Sequence, residues 1–277
     1  MVKTIDVEQA AWAPYNEIAR HYDDQRPGYP TGAIQELVNR LIGLQPAGSI
    51  VADIGCGTGI FTRLLAARLN GCYDVVGVEP SEQMRQRAVE TTPSHARIRY
   101  FRAPAERLPF GPLKVAAITA AGAAQLFDRG KFYAEAAKAL TDRGLVALIQ
   151  NKRRHAESRL FQCYEVFLSQ YVPGYATGAY ADAWGTHSPA YFPRELRDSE
   201  WFEEVDVHQC FWARTFSIDE FEVFAKSTLQ LKTAIAAHDE RVVIDALREI
   251  LAEVSEDGQV ELSYRTEITF AVRRKRI

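Results

Sequence analysis

The stretch VADIGCGTG, residues 51–59, decides the fold of this 277-residue chain. It runs from a short apolar segment through Asp53 into glycines at positions 55, 57 and 59. Glycine permits the backbone turns that bring a chain close to a ligand. The following segment, IFTRLLAARL, has apolar residues at helical spacing. The pattern therefore predicts a buried strand, a tight turn and a helix.

Short apolar runs continue to alternate with helical segments from about residue 48 to 150, as is typical of a parallel sheet. Ser81 is placed to cap the helix after the second strand. We expect five strands and a further helix, at 49–54, 74–79, 96–103, 114–119 and 144–151, with the helix near 130–140. These elements predict an α/β, Rossmann-like, doubly wound sheet with helices on both faces.

The regularity is lost beyond residue 151. A helix is expected at about 154–171, followed by a loop or lid over 172–193, where glycine, proline and aromatic residues mix without a period. Helical sequence returns at about 217–254, between two apolar strands at 205–213 and 260–274. We expect these two strands to add an antiparallel edge to the sheet.

These patterns divide the chain into four kinds of segment. They are an N-terminal helical cover (1–45), a Rossmann-like core (46–152), cap or lid insertions (153–200 and 217–256) and closing strands of the core sheet (201–216 and 257–277).

The glycine spacing indicates which nucleoside cofactor the turn suits. A dinucleotide site requires GxGxxG, whereas here the third glycine arrives one residue early and Ile60 occupies the sixth position. GxGxG favours S-adenosylmethionine (SAM) over NAD. Asp53 suits the ammonium of the methionine moiety, and Glu79, at the end of the second strand, is placed to accept hydrogen bonds from the ribose hydroxyls. The alternative is a tight turn without a ligand.

The sequence also resembles the class I SAM-dependent methyltransferases, and within them the small-molecule branch that includes ubiquinone/menaquinone-type and trans-aconitate-type enzymes. The resemblance covers roughly residues 15 to 150. The matching segments are YNEIARHYDDQRPGYP (15–30), VADIGCGTG (51–59), VVGVEPSEQM (75–84), APAERLPF (103–110) and AAQLFDRGKFYAEAAKAL (123–140).

The resemblance implies a set of cofactor-binding residues. Asp53, Gly55, Gly57 and Gly59 would line the methionine side, with Cys56 and Ala120 beside them, Glu79 would hold the ribose, Pro80 and Met84 would flank the adenine, and Ala105 with Glu106 would meet its edge. Tyr22 and Arg26 would belong to an N-terminal segment that folds over the cofactor. An arginine there could also pair with the SAM carboxylate, or lie on the surface in a proline turn.

Relatives in this branch often carry histidine and tryptophan where this chain has Gln125 and Leu126. A glutamine can hydrogen-bond SAM or the acceptor but cannot act as a general base. The candidate catalytic residues are Gln125 and two histidines, His21 and His187. For each histidine the alternative is a purely structural role.

The acceptor is expected near the carboxyl end of the fifth strand and the aromatic segment after it. Candidate substrate-binding residues are Tyr15, Arg153, Tyr180 and Trp184. Arg153 belongs to the run NKRRH (151–155), which could bind an anionic substrate or be a solvated helix start.

Composition limits the class of partner. A net charge of −3 does not suit a polyanion, so the partner is expected to be a small-molecule acceptor and not a nucleic acid. No stretch approaches the roughly 18 apolar residues of a membrane span, and the four cysteines form no CxxC pair. We expect a cytoplasmic monomer or homodimer without a metal. The competing functions are a non-catalytic SAM-binding module and an NAD(P)-binding oxidoreductase.

Overall fold

A computed structural model of the chain describes residues 28–46, 48–112, 114–154, 158–175 and 191–275. Within these ranges the strands are β1 (Ile50–Ile54), β2 (Asp74–Val78), β3 (Ile98–Phe101), β4 (Val115–Ala121), β5 (Leu140–Arg153), β6 (Phe202–Ser217) and β7 (Gln259–Arg273). The α-helices are α1 (Thr31–Leu44), α2 (Ile60–Leu69), α3 (Glu82–Thr91), α4 (Arg129–Ala139), α5 (Arg159–Tyr171), α6 (Phe192–Asp198), α7 (Ile218–Lys226), α8 (Leu229–Ala237) and α9 (Glu240–Val254).

The strands form one sheet in the order β3-β2-β1-β4-β5-β7-β6. The first five are parallel, while β7 pairs antiparallel with both β5 and β6. The order reverses between β1 and β4, and open α/β sheets bind ligands outside the carboxyl ends of the strands at such a switch point. The predicted fold class, including the antiparallel edge, is confirmed.

Helices cover both faces of the sheet because β1 and its neighbours alternate their apolar side chains. Val51 packs with α1 and α2 on one face, while Ala52 and Ile54 pack with α4 and α6 on the other. Successive side chains of a strand point to opposite faces, so a strand that is apolar at every position becomes buried on both.

Two strands, β5 and β6, run well beyond their predicted bounds. β5 begins at Leu140, directly after α4, and includes a register shift with Arg143 at φ 57°. β6 spans 16 residues against the nine expected at 205–213. It pairs with β7 from Phe202↔Arg273 to Ser217↔Gln259, so the two strands form a long ribbon whose outer half extends past the parallel strands.

Four helices, which we call the cap helices (α5, α7, α8 and α9), pack on the outer half of this ribbon. They share a separate apolar core that includes Phe167, Phe221 and Leu247, all fully buried, together with Leu262 of β7. Ser217 starts α7 with a capping box, its hydroxyl accepting from Glu220 N while the Glu220 carboxylate accepts from Ser217 N. The cap is therefore built on the same two strands that close the core sheet.

A chain of side-chain hydrogen bonds joins this ribbon to the N-terminal part of the described structure. Trp212 Nε1 donates to Thr266 Oγ1 at 2.8 Å, and Thr266 Oγ1 donates to Asn151 Oδ1 at 2.6 Å. Asn151 Nδ2 in turn donates to the carbonyl of Gly28 at 3.0 Å. The chain of bonds fixes Gly28, shortly before α1, beside the carboxyl end of β5.

Among the described residues, no helix combines the length and the apolar character needed to cross a membrane.

Candidate functional site

The glycine-rich turn lies at the carboxyl end of β1, where the sequence places it. Gly55, Gly57 and Gly59 have φ of 66°, 55° and 80°, a region that other residues rarely adopt. A Cβ on Gly55 would lie 2.6 Å from the Cβ of Ala123, and one on Gly59 would lie 2.6 Å from the hydroxyl of Tyr100. A Cβ on Gly57 would meet no heavy atom of the described residues within 4 Å. Among the described parts of the chain, Gly57 therefore presents bare backbone to open space.

Glu79 joins the end of β2 to this turn. Its Oε2 accepts from Gly57 N and its Oε1 accepts from Ser81 N, both at 2.9 Å. The residue is 5% exposed, and burial raises the pKa of its carboxyl to about 7 against the opposing effect of the two backbone donors. Each oxygen keeps a second lone pair, so the carboxylate can accept further hydrogen bonds.

Asp53 has a different environment from the one expected for a direct contact with an ammonium. Its oxygens accept from Thr62 Oγ1 at 2.6 Å and from Thr119 Oγ1 at 2.9 Å, and the residue is 1% exposed. Burial raises the pKa of the Asp53 carboxyl to about 6, although both hydroxyl donors oppose the rise. In this structure Asp53 ties β1 to α2 and β4, beneath the turn.

Two buried polar atoms beside the turn have no hydrogen-bond partner among the described residues. They are the hydroxyl of Thr58, within the turn, and the side-chain oxygen of Gln125, after β4. Gln125 Nε2 donates to the carbonyl of Gly122 at 2.7 Å, which fixes the amide in place. Together with the open space at Gly57, these two acceptors fit a polar ligand such as SAM, whose ammonium and ribose hydroxyls are donors.

The remaining expected cofactor residues lie around the same sheet edge, with most of their side chains turned inward. Cys56, Met84, Ala105 and Ala120 are buried, whereas Pro80 is half-buried. Burial, followed by the nearby Glu79 carboxylate, raises the pKa of the Cys56 thiol well above its ordinary value. These residues can shape the site mainly through backbone and packing.

Glu106 and Ser81, near the expected adenine position, both accept hydrogen bonds from backbone amides. Glu106 Oε1 accepts from the backbone N of Asp128 at 2.8 Å, which joins the loop after β3 to the start of α4. Ser81 Oγ accepts from Met84 N at 3.2 Å, so the predicted N-cap of α3 is confirmed.

Arg153 lies apart from the turn, at the end of β5 and against the cap helices. It is half-buried, and its guanidinium carbon lies 5.4 Å from the centroid of the Phe161 ring. His208, which the sequence places in a strand, does lie in β6 opposite Ile268.

Several candidates fall outside the described residues. They are Tyr15, His21, Tyr22, Arg26, Tyr180, Trp184 and His187.

The structure adds residues that the sequence reasoning did not single out. Thr62 and Thr119 hold Asp53, and Tyr100 packs over Gly59 and Gly77 while its hydroxyl bonds Thr92 at 2.8 Å. Tyr29 makes an edge contact with Phe61 at 4.9 Å. Thr62 carries a signal, since it lies on the inward face of α2, nine positions after Asp53. The others depend on contacts between elements.

The comparisons with known proteins agree with this fold. Residues 51–144 match the profile of a methyltransferase domain. A candidate type II methyltransferase from Anaeromyxobacter dehalogenans superposes with a TM-score of 0.61 at 22% identity, covering 90% of this chain and 97% of the other. A search of curated proteins gave no match.

Two further solved structures have the same fold at lower similarity. One is phosphoethanolamine N-methyltransferase 2 of Haemonchus contortus, in complex with phosphomonomethylethanolamine and S-adenosylhomocysteine, with a TM-score of 0.55 at 15% identity. It covers 99% of this chain, which spans only 62% of that protein. The other is a candidate methyltransferase from an antibiotic biosynthesis pathway of Anabaena variabilis, with a TM-score of 0.51 at 18% identity, covering 89% of this chain and 98% of the other.

The matched range begins within β1 and ends within β5, and it therefore contains the glycine-rich turn, Glu79 and Gln125. These residues stand at the switch point where the fold binds its ligand. Residues 51–144 are thus a methyltransferase domain, and the chain is an enzyme of the SAM-dependent methyltransferase kind.

Proposed function

We propose that this enzyme transfers the methyl group of SAM to a small organic acceptor, releasing S-adenosylhomocysteine (SAH). The observation that carries the proposal is the bridge from Glu79 to Gly57 N and Ser81 N, both at 2.9 Å. It holds a buried carboxylate against an open glycine turn at the switch point of the sheet.

In this proposal, different parts of the site bind different parts of SAM. The free lone pairs of Glu79 accept from the ribose hydroxyls, and the bare backbone at Gly57 lies against the methionine moiety. The oxygens of Thr58 and Gln125, which have no hydrogen-bond partner among the described residues, accept from its polar hydrogens. Asp53 acts one step further away, by holding the turn through Thr62 and Thr119.

When bound, SAM supplies a methyl group on a sulfonium that leaves as a neutral thioether. The protein then mainly has to align the acceptor with the methyl group and exclude water. Gln125 is suited to positioning the acceptor because its amide nitrogen bonds the carbonyl of Gly122, while its oxygen, which no other described residue bonds, can orient a donor. We also propose, in line with the prediction from the sequence, that residues 1–45 cover the cofactor. His21 and His187 would contact the acceptor.

A small acceptor suits the charge and architecture of the chain. The net charge of −3 gives no general attraction for a polyanion. The cap helices and the outer half of β6 and β7 form a separate apolar layer next to the core sheet, and binding sites for small molecules are lined mostly by apolar side chains.

Calorimetric titration tests the cofactor assignment. We expect SAM and SAH, but not NADH, to bind the wild type, and Glu79→Gln to weaken both by at least tenfold, about 1.4 kcal/mol, since the amide cannot accept from two backbone donors and two hydroxyls. Asp74→Asn is the matched control, because Asp74 is an exposed carboxylate at the other end of β2. Binding of NADH in place of SAM would overturn the proposal. Binding of SAM without turnover of any acceptor would instead favour a non-catalytic SAM-binding module.

A further inference from the structure

Three consecutive cations lie at the end of β5, Lys152 and Arg153 as its last two residues and Arg154 directly after it, and the alternation of side chains gives them different surroundings. Lys152 Nζ bonds Glu267 Oε1 at 2.7 Å, and the Arg154 guanidinium lies 4.8 Å from the ring of Phe211, a residue that is 56% exposed. Successive side chains of a strand point to opposite sides. Arg153 therefore turns away from these two neighbours, toward Phe161 of the cap helices.

The surroundings of Arg153 are aromatic. Arg153, in β5, pairs with Tyr264 of the neighbouring strand β7, and the Tyr264 ring stacks on Trp212 with centroids 4.7 Å apart. Of the carboxylates in the described part of the chain, none comes within 4.0 Å of its guanidinium. A half-buried guanidinium whose planar fork faces no carboxylate is suited to bind an oxyanion with two parallel hydrogen bonds.

Tyr164 supplies a second donor on the same side. It is 3% exposed, and its hydroxyl lies near the side chain of Thr228 but makes no hydrogen bond of normal geometry to any described residue. Tyr164 follows Phe161 by three residues in α5, so the two side chains share a face of that helix, and it is Phe161 that Arg153 contacts. Burial raises the pKa of Tyr164, and the positive charge of Arg153 opposes that rise. The neighbouring Glu165 already uses one carboxylate oxygen to accept from the hydroxyl of Tyr175 at 2.8 Å.

The position of Arg153 separates it from the cofactor. The last pair between β4 and β5 is Ala121↔Ile149, and β5 continues four residues further to Arg153. At roughly 3.3 Å per residue, this extension carries the backbone about 13 Å beyond the edge at which the glycine turn lies. A group bound by Arg153 is thus at the cap end of any acceptor that reaches the methyl group.

We propose that Arg153, together with the hydroxyl of Tyr164, binds an oxyanion of the acceptor, a carboxylate or a phosphate monoester. The inference rests on the proposed function, and it assigns the substrate class: small anionic molecules whose charged end lies in the aromatic cap and whose methyl-accepting atom lies at the opposite end. The arginine selects the acceptor and takes no part in the transfer itself.

Titration with three simple probes tests this assignment. Benzoate, phenyl phosphate and the neutral benzamide are added to the wild type and to Arg153→Met, with and without saturating SAH. We expect at least one of the two anions to bind the wild type at least tenfold more tightly than benzamide, and Arg153→Met to remove that difference. The anion that binds more tightly identifies the carboxylate or the phosphate class.

Arg154→Met is the matched control, because it removes the adjacent cation from the other side of β5 and should leave the binding of all three probes unchanged. If Arg153→Met does not fold, Arg153→Lys keeps the charge, loses the planar fork and should show a partial loss. Equal binding of benzamide and both anions, or anion binding that survives the loss of Arg153, would overturn the inference. Failure of SAH to bind overturns the cofactor assignment instead, and the titrations without SAH still decide the role of Arg153.

Discussion

Gly55, Gly57 and Gly59 all have positive φ, but their surroundings separate a packing role from a binding role. At positions 55 and 59 an added Cβ would lie 2.6 Å from a neighbouring side-chain atom, so these two glycines are required for the fold itself. At Gly57, an added Cβ would meet no described heavy atom within 4 Å. An alanine there would bear only the strain of the left-handed conformation, about 1–2 kcal/mol.

We therefore expect Gly57→Ala to fold with a modest loss of stability and to bind SAM and SAH at least tenfold more weakly, because the new methyl group takes up space that the proposed ligand needs. Calorimetry gives the affinity, and urea denaturation gives the stability. Gly71→Ala is the control, since its φ of 74° and its open surroundings among the described residues bring the same strain in the turn after α2. Unchanged SAM affinity in Gly57→Ala would mean that the cofactor lies elsewhere.

The sequence predicted the residues of this turn but not all of their contacts. VADIGCGTG and Glu79 could be read from spacing alone, because strand, turn, helix and acid follow one another along the chain. The two threonines that hold Asp53 could not be read in this way. Thr62 comes from α2 and Thr119 from β4, and only the folded sheet brings their hydroxyls to the same carboxylate.

At the scale of elements, the hydrogen bonds of Thr266 connect the β6–β7 ribbon to the core. Its hydroxyl is fully buried, accepts from Trp212 and donates to Asn151, which also holds Gly28. Replacing Thr266 with the isosteric valine leaves the indole N–H of Trp212 and the amide oxygen of Asn151 without this partner. An unsatisfied buried polar group costs about 1–3 kcal/mol.

We expect Thr266→Val to lower the free energy of unfolding by about 1–3 kcal/mol, measured by urea denaturation. Thr269→Val is the control, because Thr269 is buried in the same strand and makes no side-chain hydrogen bond within the described ranges. Equal effects of the two substitutions would show that Thr266 contributes through packing and not through this chain of bonds.

The elements themselves were largely predictable, since period-two and period-3.6 patterns directly reflect burial. Val260, Leu262 and Tyr264 fall on one face of β7 in the sequence and are buried in the structure. The full length of β6 was not predictable, because most of its residues alternate between half-buried and exposed and so show no apolar face. They gain their strand structure from pairing with β7. The cap core likewise requires four helices to meet, which no local pattern indicates.

At the scale of the whole molecule, burying Asp53 and Glu79 has an energetic consequence that depends on pH. Burial raises the pKa of Asp53 to about 6 and that of Glu79 to about 7, whereas in the unfolded chain both are near 4. Between these values the folded protein holds protons that the unfolded chain has released. The free energy of unfolding therefore falls as pH rises from about 4 to about 7, and the loss is complete above that range.

We expect the ligand-free protein to be less stable at pH 8 than at pH 5, by on the order of 2 kcal/mol for each carboxyl. Surface acids such as Asp128 and Asp206 have pKa values that are lowered by Lys131 and Arg40. They change the free energy of unfolding only below about pH 5, so they do not hide the loss of stability between pH 5 and 8. Urea denaturation across pH 5 to 8 measures it. Asp53→Asn and Glu79→Gln should each flatten the curve, whereas the exposed Asp74→Asn should leave it unchanged.

SAH binding should partly offset this loss, because ribose hydroxyls that donate to Glu79 favour its ionised form. The rise in melting temperature at a fixed excess of SAH should accordingly be larger at pH 8 than at pH 6, and Glu79→Gln should remove that difference. The two buried carboxylates would then destabilise the ligand-free fold at neutral pH, and the ionised form of Glu79 would be the one that accepts hydrogen bonds from the ribose hydroxyls of the cofactor. A stability curve that stays flat from pH 5 to 8 in the wild type would instead show that both acids ionise freely in the folded state, and that their burial costs the protein little.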